Sequence, residues 1–162
     1  MDGMSHITRR QALICGAALA VSASAFAQDR FARASVRSLT DRQWRARLQP
    51  AAYAVLRRAA TERAYSSPLN EEHRRGVFSC AGCNLQLFRS QWKFDSGTGW
   101  PSFYQVERAN IGRSTDRTHG MVRTEYHCAQ CLGHQGHVFN DGPRPTGLRY
   151  CNNGVALRFT PA

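Results

Sequence analysis

The chain has 162 residues, 42% hydrophobic and 20% charged, which is enough apolar content for one packed domain and too much for wholesale disorder. That length excludes a multi-domain enzyme built on a large cofactor fold. The formal charge is +11, nearly all of it arginine because Lys93 is the only lysine, and six cysteines are too clustered for a disulfide-stapled miniprotein.

Residues 1–27 read as an export signal. Thr8-Arg9-Arg10 precedes the apolar run from Ala12 to Val21, and Ala25-Phe26-Ala27 offers small residues at a cleavage site before Gln28. The run falls short of the ~20 apolar residues of a spanning helix, so an uncleaved membrane anchor is the competing reading, and a membrane partner is expected only in that case. The paired arginines resemble a twin-arginine signal, which implies export of an already folded protein to the periplasm. A protein exported folded can load a metal inside the cell first. Residues 28–38 are expected to be a linker, and 39–162 the functional domain.

From Leu39 to Ala64 the pattern is helical, with Thr40 placed to cap and Trp44, Leu48, Ala52, Val55, Leu56 and Ala59 recurring at three- and four-residue steps. Pro50 divides the stretch into two short helices. The arginines between these positions read as a solvated helix face, since no aromatic stacking platform is interleaved, and no nucleic-acid partner is expected. After Pro68 the character changes to strands: Gly76 to Cys80, Leu85 to Phe88, Met121 to His127, His137 to Phe139 and Gly147 to Phe159. Ser96-Gly97-Thr98-Gly99-Trp100-Pro101 and Asp141-Gly142-Pro143 between them are turn chemistry. The fold expected is mainly β (α+β): antiparallel β-sheets with short N-terminal helices and a structural zinc site.

Cys80-Ala81-Gly82-Cys83 and Cys128-Ala129-Gln130-Cys131 are two Cys-x-x-Cys knuckles separated by 44 residues. Two such knuckles supply the four thiolates of a closed tetrahedral zinc site. Redox dithiols and an iron–sulfur centre are the competing readings. In an oxidising compartment free dithiols would form disulfides, which zinc loaded before export prevents. Cys151 stands apart. A lone cysteine is commonly a small buried hydrophobe, but strand alternation puts Arg149, Cys151 and Asn153 on one face continued by Val155, Leu157 and Phe159. That places Cys151 where core meets pocket, with a guanidinium nearby that favours the thiolate. His134 and His137 are either acid/base partners for that thiol or satisfied structural histidines. Trp100, flanked by Gly99 and Pro101, is a core plug or a pocket wall.

In this order the segments resemble the B-type methionine sulfoxide reductases, from about Leu39 to Phe159. The resemblance is carried by Thr61-Glu62-Arg63, Ser66-Ser67-Pro68-Leu69-Asn70, both cysteine knuckles, Phe94-Asp95-Ser96-Gly97-Thr98-Gly99-Trp100-Pro101-Ser102-Phe103, His134-Gln135-Gly136-His137-Val138-Phe139-Asn140-Asp141-Gly142-Pro143 and Arg149-Tyr150-Cys151-Asn152-Asn153. It implies reduction of methionine-R-sulfoxide in oxidised protein substrates, a repair reaction of oxidative stress. Cys151 would be the nucleophile, Trp100 the wall for the S-methyl group, with Phe139 beside it. His137 and Asn153, supported by His134 and Asp141, would hold and protonate the sulfoxide oxygen, and Arg149 would stabilise the thiolate. One structural zinc ion on Cys80, Cys83, Cys128 and Cys131 would hold the fold of a monomer.

Two positions depart from the family pattern. Thr98 stands where many relatives carry a cysteine that resolves the sulfenic acid, which implies a one-cysteine enzyme recycled by a thioredoxin-like protein or a small thiol. Gln135 stands where leucine is usual and is expected to alter the pocket lining. The alternative function is a zinc-ribbon binding module that uses an arginine-rich surface.

Overall fold

The computed structural model describes residues 30–162. The segment read as an export signal therefore lies outside the described residues. Part of the stretch expected to be a linker is packed down: a 3-10 turn at Ser35–Ser38 buries Val36 in the core.

Helix α1 (Asp41–Arg47) begins at a capping box, in which the Thr40 hydroxyl accepts the Gln43 N–H at 3.4 Å and the Gln43 side chain accepts the Thr40 N–H at 2.8 Å. Helix α2 (Pro50–Arg58) starts on proline, whose missing N–H costs nothing in the first turn. It stops at Arg58, short of the expected Ala64, because Ala59 turns left-handed at φ 52°. Trp44, Leu48, Ala52, Val55 and Leu56 are buried as the helical periodicity requires. The arginines between them are not simply solvated. Arg47 donates to Gly82 O at 3.0 Å and Arg57 to Cys131 O at 3.0 Å, while Arg37 donates to Gln130 O at 3.1 Å and Ala129 O at 2.6 Å. Both cysteine knuckles are thus gripped from the helical flank.

The strands are β1 (Gly76–Cys80), β2 (Gln86–Arg89), β3 (Lys93–Phe94), β4 (Ser102–Phe103), β5 (Ile111–Asp116), β6 (Arg123–Cys128), β7 (His134–Phe139), β8 (Arg149–Asn152) and β9 (Leu157–Pro161). They form two antiparallel sheets, a three-stranded one ordered β2-β1-β9 and a six-stranded one ordered β3-β4-β8-β7-β6-β5. Mainly antiparallel β structure with two short N-terminal helices agrees with the expectation. An aromatic core joins the sheets: Phe88 stacks on Phe103 with centroids 4.1 Å apart, Phe78 meets Phe103 edge-on at 5.0 Å, and Tyr126 meets Tyr150 edge-on at 5.5 Å. Among the described residues no helix is long and apolar enough to cross a membrane.

The expected single strand from Gly147 to Phe159 is two strands in different sheets. The chain leaves the large sheet after Asn152, makes a 3-10 turn at Gly154–Ala156, and enters the small sheet as β9. Glu62 forces this crossing: its carboxylate accepts the Gly154 N–H at 2.5 Å and the Val155 N–H at 3.1 Å, so neither can join a ladder. The backbone N–H of Glu62 donates to Asn153 Oδ1 at 2.9 Å, and its carbonyl accepts the Trp100 indole at 3.1 Å. Consequently Val155 does not continue the face of Cys151. Gly154 is compulsory at this crossing, since a Cβ there would lie 1.9 Å from Ser67 Oγ.

Glu62→Ala should lower the free energy of unfolding by about 2–4 kcal/mol, because two backbone donors lose a charged acceptor. Urea denaturation of the full chain measures this, and an unchanged midpoint would remove Glu62 from its place at the joint.

Candidate active site and cysteine cluster

Strands β4, β7 and β8 bring the reactive candidates together through their register. Cys151 lies opposite His137 on β7 and opposite Ser102 on β4. Its half-buried side chain opens on a cleft of about 120 Å³ whose lining includes Thr61, Trp100, Arg123, His137, Phe139 and Asn153. Trp100 is held as a wall, because its indole N–H is fixed on the Glu62 carbonyl and the turn before it depends on Gly99. Gly99 has φ 87°, and a Cβ there would come within 2.7 Å of the Tyr65 ring.

Arg149 donates to both carboxylate oxygens of Asp141, each at 2.8 Å, and its guanidinium lies 4.4 Å from the centre of the Phe139 ring. Asp141 thus serves Arg149 and does not touch a histidine. The histidines have other carboxylate partners. His137 Nε2 is 2.8 Å from Asp116, which also receives Arg123 at 2.6 Å and the Thr118 hydroxyl at 2.7 Å. His134 Nδ1 is 2.9 Å from Glu125, whose other oxygen takes His127 at 3.2 Å and the Ser114 hydroxyl.

Hydrogen bonds from Thr118, then His137 and Arg123, hold the Asp116 carboxyl well below the usual range. Burial raises Glu125, yet its bonds from His127, His134 and Ser114 more than offset that and hold it low. Ionised carboxylates only accept, so each bonded ring nitrogen donates. This leaves Nδ1 of His137 and the buried, unpartnered Nε2 of His134 as lone pairs. Burial also lowers the His137 pKa, ahead of the raising effect of Asp116.

For Cys151, burial is the leading influence and pushes the thiol up, while the nearby Arg149 charge and a hydrogen bond from Thr98 push it down. The Arg149 charge acts toward the thiolate, and burial outweighs it. Asn153 is on the cleft, but its amide is engaged: Oδ1 accepts from Glu62 and Nδ2 donates to Gln135 O at 3.0 Å. Gln135 itself does not line the cleft. It is fully buried, with Nε2 at 3.4 Å from Cys80 Sγ and 3.5 Å from Gly133 O. Residues missed in the sequence include Asp116, Glu125 and Asn152, whose Oδ1 accepts the Tyr126 hydroxyl at 2.5 Å and fixes the backbone beside Cys151. A signal for Glu125 was present, since Arg123, Glu125 and His127 alternate along one strand.

The two knuckles meet outside the cleft lining. Cys80 ends β1 and Cys128 ends β6, so the pair links the two sheets. The four sulfurs all lie within 4.8 Å of one another, with Cys80 to Cys131 at 3.5 Å and Cys83 to Cys128 at 3.4 Å. A disulfide needs ~2.05 Å. Tetrahedral bonds of ~2.3 Å to one ion put sulfurs ~3.8 Å apart, so the cluster fits a metal.

Residues 48–161 match the SelR domain. The chain is 55% identical over 123 residues to the peptide methionine sulfoxide reductase MsrB of Thiobacillus denitrificans, covering 75% of this chain and 93% of that protein. The chain belongs to the B-type methionine sulfoxide reductase family. The MsrB of Bradyrhizobium diazoefficiens is 54% identical over 75% of this chain and 88% of its own length, and that of Leptospira interrogans 49% over 74% and 92%. As a member of this oxidoreductase family, the reductase carries a cleft whose one cysteine has no sulfur partner, beside a four-cysteine cluster that can hold a metal.

Alkylation of Cys151 by iodoacetamide should rise with pH through a midpoint above that of an ordinary thiol. Arg149→Gln should move the midpoint up further, by about one unit. A midpoint that stays in place in the variant would show that the guanidinium does not act on the sulfur.

Proposed function

We propose that this reductase converts methionine-R-sulfoxide in oxidised proteins to methionine through Cys151. The position of Cys151 supports this reading most directly: a half-buried thiol facing His137, between Arg149 and the Trp100 wall. The S-methyl group packs against Trp100 and the sulfoxide oxygen points toward His137. The Cys151 thiol proton passes to His137 Nδ1, whose ring is steadied by Asp116 at Nε2, and from there to the sulfoxide oxygen. The Cys151 sulfur attacks the substrate sulfur as that oxygen is protonated. The hydroxyl then passes from the substrate sulfur to the Cys151 sulfur as the S–O and S–S bonds break, so methionine leaves reduced by two electrons and Cys151 is oxidised to a sulfenic acid. His134 sits beside His137 with ring centroids 5.5 Å apart and adds an acceptor at the same end of the cleft. Arg149, held by Asp141, stabilises the attacking sulfur. Asn153 acts chiefly by positioning the loop, with one amide hydrogen left for the substrate.

Recycling then follows from Thr98, which cannot form a disulfide. The other four cysteines among the described residues are in the cluster. An external thiol condenses with the sulfenic acid, releasing water and leaving a mixed disulfide. A second thiol frees Cys151.

We assign zinc to the cluster as a structural ion on Cys80, Cys83, Cys128 and Cys131. When bound it supplies no chemistry to the reaction and pins the small sheet to the large one. Gln135 would donate to the Cys80 sulfur. The paired arginines of residues 1–27 support export by the twin-arginine route to the periplasm. The alternative of a zinc-ribbon module binding through arginines has less support, because Arg37, Arg47 and Arg57 are occupied by knuckle carbonyls.

Turnover of peptide-bound R-sulfoxide with dithiothreitol should be robust and that of the S epimer absent, and Cys151→Ser should abolish it with the fold intact. Substrate-oxidised enzyme should carry a sulfenic acid and no intramolecular disulfide at Cys151. Activity on the S epimer would overturn the assignment. Elemental analysis should find one zinc per chain, and Cys128→Ser should lose it with a drop in melting temperature above roughly 10 °C.

A further inference from the structure

Gln135 occupies an irregular place on β7. Tyr126 of β6 pairs with Gly136 and the next residue, His127, with His134, so Gln135 is an extra residue that the β6–β7 ladder passes over. The bulge gives its backbone and its side chain separate tasks. The carbonyl accepts both the backbone N–H and the side-chain Nδ2 of Asn153, a residue of the cleft lining, each at 3.0 Å. The side chain is fully buried and reaches the cysteine cluster, where Nε2 lies 3.4 Å from Cys80 Sγ and 3.5 Å from Gly133 O. Gly133 O also accepts the N–H of Cys128 at 3.0 Å. One amide therefore touches the first knuckle directly and the second through a shared carbonyl.

By itself this placement is unfavourable. Both neighbours of Nε2 are acceptors, which fixes the nitrogen toward them, and Oε1 is left buried without a partner. An apolar side chain of the same length would fill the space and orphan no oxygen. What it would lack is a donor for the sulfur. Four thiolates on one divalent ion leave a net charge of about −2 on the centre, and a buried N–H aimed at one of the sulfurs stabilises that charge. In the metal-free chain the charge is gone and the orphaned oxygen stays. The amide thus favours the loaded centre over the metal-free chain.

We propose that Gln135 is a retention residue of the zinc centre: its N–H bond to the Cys80 sulfur tightens the hold on the ion, and the bulge in β7 is what delivers the amide to that sulfur. This rests on the assignment of zinc to the cluster. Gln135 supplies no ligand atom and touches no reacting atom, so it acts on how firmly the metal is kept and not on the reduction itself. Its part differs from that of the arginines. Arg47 and Arg57 address carbonyls of the knuckles, whereas Gln135 addresses a sulfur.

The test sets the full zinc-loaded chain in competition with a chromophoric zinc chelator. Gln135→Met keeps the length of the side chain and deletes the donor, and should lower the zinc affinity about tenfold. Loading the same chains with cobalt(II) in place of zinc separates the bond from packing. A hydrogen bond lowers the energy of the sulfur lone pairs, so its loss should move the sulfur-to-cobalt charge-transfer band of the variant to longer wavelength. Circular dichroism identifies a variant that has not folded, and Gln135→Leu then takes its place in both measurements. Wild-type affinity in the folded variant, or a charge-transfer band that stays where it is, would overturn the role of Gln135 alone. A wild-type chain that elemental analysis finds free of zinc would overturn the zinc assignment, and this proposal with it.

Discussion

Glu62 is the residue on which the site's geometry depends. Its carboxylate, carbonyl and N–H reach Gly154 and Val155, Trp100, and Asn153 in turn. Those partners are the end of the nucleophile strand, the cleft wall and the loop beneath the cleft. No other residue hydrogen-bonds to all three among the described residues. The arrangement makes the distance between Trp100 and Cys151 a property of one glutamate, which is why a chain with only short strands can hold a cleft of fixed width. It also explains why the crossing from large sheet to small occurs directly after Asn152. The strand must end there, because its next two free N–H groups are claimed.

Holding Cys151 in place carries an electrostatic cost. A half-buried sulfur favours the neutral thiol, so the packing that holds Cys151 in place also raises its pKa. The molecule offsets this with groups whose own positions are fixed. Arg149 cannot swing toward solvent, since Asp141 holds both arms of its fork. Asp116 and Glu125 hold one ring nitrogen of His137 and of His134 and so fix how each ring is turned.

Much of this was legible in the sequence where the chemistry is local. The Cys-x-x-Cys spacing, the Thr40 cap, Pro50 and the isolation of Cys151 each declare themselves within a few residues. What stayed hidden depends on partners far along the chain. The break after Asn152 is imposed by Glu62, which no periodicity around Cys151 reports. β5 escaped notice because it is an edge strand whose exposed residues, Arg113, Ser114 and Thr115, show no apolar alternation. β3 and β4 are two residues long, too short for any pattern. The pairing of His137 with Asp116 and of His134 with Glu125 follows from register between β5, β6 and β7, which no local pattern around the histidines reports.

The arginine excess also takes on a physical role. Four thiolates around a divalent ion carry a net charge of about −2, and such a centre buried between two sheets needs compensating charge. Arg37, Arg47 and Arg57 bring three guanidinium groups to the knuckle carbonyls. Lysine would supply the charge but not the fork that lets Arg37 reach two carbonyls at once. The arginines, which the alternative reading assigned to a binding surface, are in this part of the molecule directed inward at the cysteine cluster.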